Sequence, residues 1–380
     1  MGVLELKYRL HSCPVCASNN FEMLNKRQED VMINDGVCRF KIVEGICKNC
    51  GFIFTNPYPD QESLLEYYKK KNLHSVGKPD YNLNNRLNYL KKIKNSFSSL
   101  LEIGSGEGSF LRSAAELGFE VTGLEPIDAA GSLQHTYKKM PERKYYEIIV
   151  VNHVLEHIPD PLEFLKNLRT FTKDGGLLLV EVPNIHLYDL YSSAIFYEHL
   201  SHFSPSNLSY LIRKAGFEPI EFEFSKTSRP IGFSILSKKS DKITSQSQPQ
   251  EFETNKTYFL KALTFFDKRD VRYRLLIKNS LEKSGERKIA LWGANQFMYR
   301  ILELISKEKS NKIVLVDENK NRWNQQFSDK HSLPILNPET LLNNTEISVV
   351  LICAVDWENE IRNCLKNMGY NDEQIIKLPI

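Results

Sequence analysis

Long apolar runs are missing from this 380-residue chain. The stretches LLLVEV and IIVV are far shorter than the roughly 18 apolar residues that a membrane span needs, and MGVLELKYRL lacks the apolar core of a signal peptide. An N-myristoylation pattern fails too, because Leu6 stands where Ser or Thr is required. Charge of one sign is equally scarce, with 50 Lys and Arg interspersed among 47 Asp and Glu for a net charge of +3. A polyanion-binding surface needs a basic cluster, so this balance argues against a nucleic-acid partner. A composition of 41% hydrophobic and 26% charged residues excludes wholesale disorder, collagen and coiled coil. The expectation is a soluble, cytoplasmic protein of two or three domains with no membrane partner.

Cysteine is sparse as well, seven in all, yet five fall within the first 50 residues. An odd, clustered set suits a local metal site better than a disulfide framework. Cys13-Pro14-Val15-Cys16 and Cys47-Lys48-Asn49-Cys50 form two CxxC turns, separated by the strand-like segments FEMLNK and CRFKIVEGI. Four thiolates complete a tetrahedral Zn²⁺ shell, and the bonds hold together a module too small for a sufficient core. The pattern is that of a zinc ribbon with a structural ion on Cys13, Cys16, Cys47 and Cys50, set against unrelated buried or free thiols. A site closed by four thiolates leaves no position for catalysis. Cys38 is expected to pack within a strand.

The segment Ser99-Leu100-Leu101-Glu102-Ile103-Gly104-Ser105-Gly106-Glu107-Gly108 runs an apolar strand into a glycine loop, and SFLRSAAELG then reads as a helix closed by Gly118. Such a loop lets a nucleoside approach the backbone while the helix start offers free N–H groups. A second strand, EVTGLEP, ends in Glu125, placed to accept hydrogen bonds from ribose hydroxyls. A dinucleotide fingerprint would require glycine where Ser109 stands. The remaining alternative is a tight turn in an unrelated α/β domain. The string E-x-G-x-G-x-G instead resembles the first motif of class I S-adenosylmethionine (SAM) methyltransferases, and YYEIIVVNHVLEHIPDPLEFLKNL followed by KDGGLLLVEVPN resembles their fourth strand, its helix and the fifth strand. The resemblance implies a SAM site on Glu102, Gly104, Ser105, Gly106, Gly108, Glu125 and Asn152. The third strand reads as abbreviated, and Asp128 is a weak candidate for the adenine contact.

Histidines follow the carboxyl edge of this sheet, where open α/β sheets bind ligands. His153 and His157 bracket HVLEH, while Glu198-His199 and His202 lie in AIFYEHLSHFSP. The pattern EHxxxFS, here Glu198, His199, Phe203 and Ser204, combined with the flanking modules, resembles the sugar C-methyltransferases that act on nucleotide-linked keto-deoxysugars. That resemblance implies His199 as base, assisted by Glu198 and His157. Phe196 stands where those enzymes commonly carry Tyr, and their tyrosine-rich substrate motif is matched only by Tyr68, His74 and Tyr81. Histidine, titrating near neutrality, suits removal of a proton next to a carbonyl and equally deprotonation of a hydroxyl. His153 and His202 are more simply read as hydrogen-bonded structural residues.

FEPIEFEFSK and GFSILSKK read as antiparallel closing strands, and the Ser/Gln-rich SDKITSQSQPQ as a boundary. A helix from about Asn255 to Lys283 connects to alternating strands and helices from Lys288 onward. Asn295 and Met298 occupy fingerprint glycine positions there, so a scaffold without its own cofactor is expected, one that the resemblance makes a wall for the substrate's nucleotide. The expected architecture is α/β: a zinc ribbon over 1–60, a class I methyltransferase seven-stranded sheet over 61–240, a linker and helix over 241–284, and a Rossmann-like domain over 285–380. The leading function is SAM-dependent C-methylation of an activated sugar. The alternatives are O- or N-methylation of another small metabolite, a zinc-ribbon nucleic-acid methyltransferase or binder, and a non-catalytic relic.

Overall fold

The computed structural model describes residues 2–33, 36–71, 83–126, 136–139, 145–190, 195–224, 232–242, 247–324, 326 and 331–378. The chain divides into two compact units, residues 5–29 with 39–263, and residues 1–4 with 30–38 and 264–380.

The larger unit is built on seven strands: β1 (Ser99–Ile103), β2 (Glu120–Leu124), β3 (Thr136–Tyr137), β4 (Tyr146–Asn152), β5 (Thr172–Pro183), β6 (Phe217–Phe224) and β7 (Gly232–Lys239). They lie in the order β6-β7-β5-β4-β1-β2-β3. β1 to β5 run parallel, and β7 inserts antiparallel between β5 and β6. β1 and β4 are apolar on both faces because helices cover both, as parallel strands require. Leu101, Ile103, Ile149, Val151, Leu178 and Val180 face Leu165 and Leu168 of α4 (Pro161–Phe171) and Leu208, Leu211 and Ile212 of α5 (Pro205–Lys214). Their alternates Leu100, Ile148, Val150 and Leu179 face Tyr89 and Leu90 of α2 (Leu83–Ile93) and Phe110, Leu111 and Ala114 of α3 (Ser109–Glu116). Each such side chain removed from water contributes about 1.5–3 kcal/mol.

Local chemistry sets the helix starts. Asp60 caps α1 (Gln61–Lys70), Asp160 caps α4 ahead of Pro161, and Ser204 caps α5 ahead of Pro205, each accepting from an N–H three residues on. Gly118 closes α3 with φ +95°, a conformation costly for residues with a Cβ.

Cys13, Cys16, Cys47 and Cys50 belong to this same unit. The segments read as strands prove longer than the sequence suggested, Phe21–Ile33 and Gly36–Cys47, and they pair with each other. Ile53–Thr55 pairs antiparallel with residues 44–46 on one side and with Ser201–His202 on the other. The segment just after His199 therefore supplies an edge strand to the module's sheet.

The second unit holds β8 (Lys288–Trp292), β9 (Ile313–Val316), β10 (Ile335–Leu336), β11 (Ile347–Ile352) and β12 (Ile375–Lys377), all parallel in the order β10-β9-β8-β11-β12. Its glycine turn is filled: a Cβ on Gly293 would meet Ala354 at 2.5 Å, and Asp317 Oδ2 accepts the Ala294 N–H at 2.6 Å. The helix α6 (Phe252–Ser284) contributes residues 252–263 to the first unit and 264–284 to the second.

Candidate active site

The carboxyl ends of β1, β2, β4 and β5 converge on one loop cluster. After β1, Gly104 (φ +71°), Gly106 (φ +49°) and Gly108 (φ +75°) each adopt left-handed backbone. A Cβ on Gly104 would lie 2.4 Å from Val154, whereas at Gly106 it would meet nothing within 4 Å. The loop is thus tight on the protein side and open on the other, the shape that admits a nucleoside against the backbone. Gly108 caps α3 with no side chain of its own, so no cap side chain competes for the helix's first N–H groups. Glu125 reaches back to accept the Gly106 N–H at 3.0 Å, which holds its carboxylate at the loop's mouth. Glu102, next to last in β1, accepts from Asn152 Nδ2 at the end of β4 at 3.2 Å, with the Asn152 side-chain oxygen Oδ1 buried and without a partner among the described residues. Ser105 is buried under the same loop. These seven residues fit the adenosyl cofactor implied by the glycine motif. Asp128, His74 and Tyr81 lie outside the described residues.

Next to this loop the structure gathers the histidines. The turn Leu155–His157 follows β4, and its His157 Nδ1 is 3.1 Å from the Glu198 carbonyl oxygen. A carbonyl only accepts, so Nδ1 carries a proton. The His157 and His199 rings meet edge to face with centroids 5.0 Å apart, and Phe196 borders His199 at 5.5 Å. Burial, helped by the neighbouring His157, pushes the His199 pKa down to about 4, which leaves a neutral imidazole at physiological pH. His199 Nδ1 is buried and unpartnered among the described residues.

Glu198 points away from its neighbour. Its Oε1 accepts from Tyr67 and from Lys71, and Tyr67 also meets Tyr197 at 3.3 Å. Burial alone would raise its pKa, but the Lys71 charge and these hydrogen bonds hold it below the usual carboxylate range. Glu198 is thus an anchor that ties the His199 loop to the end of α1, and its carboxylate is engaged there rather than with the imidazole.

Two further histidines are fixed. His202 is buried, with Nδ1 3.1 Å from Tyr188 Oη and Nε2 3.8 Å from Glu44. Burial keeps it neutral, well below its ordinary pKa. His153 has φ +50°, and its Nδ1 and Nε2 face Glu156 at 3.3 Å and Glu181 at 2.9 Å. Both partners accept, so both ring nitrogens donate and His153 is an imidazolium. Burial would lower its pKa, but the two carboxylates raise it to about 10. Glu181 is also bound by Arg86.

Sequence reasoning missed Tyr67, Lys71, Arg86, Glu181 and Glu156. Glu156 and Glu181 stood inside recognised segments, HVLEH and KDGGLLLVEVPN, but nothing in those segments named their partners.

The four cysteines also come together. Cys13 Sγ lies 3.5 Å from Cys50 Sγ, and Cys16 Sγ lies 3.4 Å from Cys47 Sγ, with all four sulfurs within 4.8 Å of one another. Tetrahedral Zn²⁺ with bonds of about 2.3 Å places sulfurs about 3.8 Å apart, so the set fits that ion. Cys38 is buried in its strand outside this cluster. Asn207 Nδ2 donates to the Cys50 carbonyl at 3.2 Å, and Lys214 Nζ to that of Val15 at 2.9 Å, so α5 braces both knuckles.

Comparison with known proteins agrees with the glycine loop. Residues 78–221 match a family described as a methyltransferase domain, and residues 285–376 match one described as C2185-like, N-terminal. The chain is 27% identical over 175 residues to a ubiquinone biosynthesis O-methyltransferase of Nitrosomonas europaea, spanning 38% of this chain and 74% of that one. It is 32% identical over 127 residues to the Shewanella halifaxensis protein of the same name, spanning 28% of this chain and 54% of that one. A solved Burkholderia thailandensis 1,6-didemethyltoxoflavin-N1-methyltransferase with bound S-adenosylhomocysteine matches at 13% identity and TM-score 0.40, over 50% of this chain and 96% of that one. No helix among the described residues is long and apolar enough to cross a membrane.

Proposed function

We propose that this SAM-dependent methyltransferase methylates an activated, nucleotide-linked keto-sugar at the carbon beside its carbonyl. The observation that carries this reading is the neutral, half-buried His199 beside His157, next to the cofactor loop. When bound, SAM supplies an electrophilic methyl on a sulfonium. A sugar carbon attacks it only after losing a proton α to a carbonyl. His199 takes that proton, the C–H electron pair passes into the enolate, and the carbanionic carbon displaces the thioether. The proton on His199 then leaves to solvent, so atoms and charge balance. General-base catalysis of this kind contributes about 10²–10⁴-fold. A structural Zn²⁺ on the four cysteines holds the module from which the His199 segment takes its strand pairing.

O-methylation of a small metabolite is the second reading, favoured by the names of the relatives matched over the central region. The same imidazole would then deprotonate a hydroxyl.

The test is methyl transfer from labelled SAM to a panel of nucleotide-linked keto-sugars and of catechols, with wild type and His199→Ala. Label in sugar carbon, together with SAM-independent exchange of the α-proton in D₂O, is the expected result. Label confined to hydroxyl oxygen overturns C-methylation in favour of the second reading. Full activity in His199→Ala overturns the base assignment.

A further inference from the structure

The turn between β4 and α4 carries a carboxylate that the reading above does not use. Glu156 is 1% exposed, and the main-chain carbonyl of the same residue accepts from Leu200 N at 2.7 Å, fastening this turn to the residue after His199. Glu156 Oε1 is taken by His153, while Oε2 is buried with no partner among the described residues. His199 Nδ1 is the other orphan in the same place. Glu156, His157 and His199 each bring a carboxylate oxygen or ring nitrogen within 4.8 Å of the others. A buried acceptor and a buried ring nitrogen left without partners are each costly, and pairing one with the other would satisfy both. Catalytic hydrogen bonds of this kind are often long in the absence of substrate and shorten in the complex.

We propose that Glu156 is the positioning carboxylate of His199: Glu156 Oε2 accepts the His199 Nδ1–H, which leaves the Nε2 lone pair directed at the proton to be removed. This rests on the assignment of His199 as base. When Nε2 takes the substrate proton, the ring becomes an imidazolium whose charge the Glu156 carboxylate offsets. His153 completes the device from behind. As an imidazolium held between Glu156 and Glu181, it keeps Glu156 ionised and fixes which oxygen remains for His199.

The groups facing Glu156 are His153 and His157 on its own turn, His199 from the segment before α5, and the phenols Tyr68 and Tyr188. Burial keeps both phenols protonated. His199 also faces the Glu198 charge and the neutral His202. His157 directs its Nδ1–H at a main-chain carbonyl and so does not compete for Oε2. A divalent cation in the cluster would have to share Glu156 with the His153 cation, which disfavours that use.

Because His153 must find an acceptor, Glu156→Gln would turn its amide oxygen to His153 and its NH₂ to His199. His199 Nδ1 then becomes the acceptor, Nε2 carries the proton, and the base loses its lone pair. The test reads the tautomer directly, by NMR of the full-length protein with isotope-labelled histidine, saturated with S-adenosylhomocysteine and without substrate. Wild type is expected to show His199 protonated on Nδ1, and Glu156→Gln to show it protonated on Nε2. Where a carbon- or oxygen-methyl acceptor is found, Glu156→Gln should lower kcat by about 10²–10⁴-fold with little change in KM for SAM.

Retention of the thermal shift produced by S-adenosylhomocysteine establishes that the variant is folded. Should it fail to fold, the wild-type tautomer decides alone: Nε2–H overturns the proposal. An unchanged tautomer or unchanged kcat in the folded variant overturns it as well, and so does a second metal ion per chain that Glu156→Gln removes. Failure to find a sugar acceptor would sink the substrate reading while leaving the tautomer result standing.

Discussion

Replacing His153 with Asn removes a cation from between two buried carboxylates and leaves the backbone comfortable, since Asn tolerates the φ of +50° found there. The magnitude follows from the proton equilibrium. The rise of the His153 pKa from 6.5 to about 10 corresponds to ~5 kcal/mol of stabilisation at pH values below 6.5. With 23% of the side chain in contact with solvent, screening reduces the expected effect to about 3 kcal/mol. The sign is that of a raised pKa: the stabilisation is complete below the unfolded value and is lost as pH rises through about 10. In the variant, Glu156 and Glu181 are left without this cation and take up protons more readily, so acid relieves their penalty. Urea unfolding of wild type and His153→Asn between pH 5 and pH 10.5 should therefore give a stability gap of about 3 kcal/mol near pH 7 that narrows in both directions. A gap below about 1 kcal/mol at pH 7, or one that does not vary with pH, would refute the imidazolium between the two glutamates.

Three other outcomes are expected. Metal analysis should find one Zn²⁺ per chain, lost in Cys50→Ser together with a lower Tm, because each knuckle supplies two of four ligands. Gly104→Ala should weaken S-adenosylhomocysteine binding by at least tenfold in calorimetry, since a side chain at φ +71° is strained and its Cβ would overlap Val154 at 2.4 Å. The acid limb of kcat/KM should fall below pH 6, because the His199 pKa near 4 preserves the neutral imidazole as pH drops; an acid limb centred near 6.5 would contradict the buried environment.

The parts of the fold legible in sequence were those specified by neighbours in the chain. Ser99–Ile103 and Tyr146–Asn152 read as strands because consecutive apolar residues, Leu100 with Leu101 and Ile148 through Val151, occupy both faces, and only a sheet covered on both faces asks for that. Asp160-Pro161 and Ser204-Pro205 carry their helix starts in local cap chemistry. The two-residue strand Ser201–His202 could not be read this way. Nothing in HLSHF alternates for long enough, and its pairing partner lies at Ile53–Thr55, about 150 residues earlier. The same applies to Arg86 with Glu181, and to Tyr67 and Lys71 with Glu198, contacts separated by 95, 131 and 127 residues. Polar partners that far apart leave no periodicity, whereas an apolar face does.

The family resemblance implied that Glu198 assists His199, and the structure engages the Glu198 carboxylate with Tyr67 and Lys71 instead of the imidazole. Consecutive residues in an irregular segment direct their side chains apart, and here each direction meets a different element. Glu198 is held by Tyr67 and Lys71 at the end of α1, which begins directly after the cysteine module, so its charge fixes where the loop stands. His199 turns toward the HVLEH turn, where Glu156 offers the one carboxylate oxygen with no partner among the described residues of that turn. Removing the Glu198 carboxylate should therefore lower stability and displace His199, whereas removing that of Glu156 should leave the loop in place and change which nitrogen of His199 bears the proton. The two carboxylates are distinguishable by experiment because one acts on position and the other on tautomer.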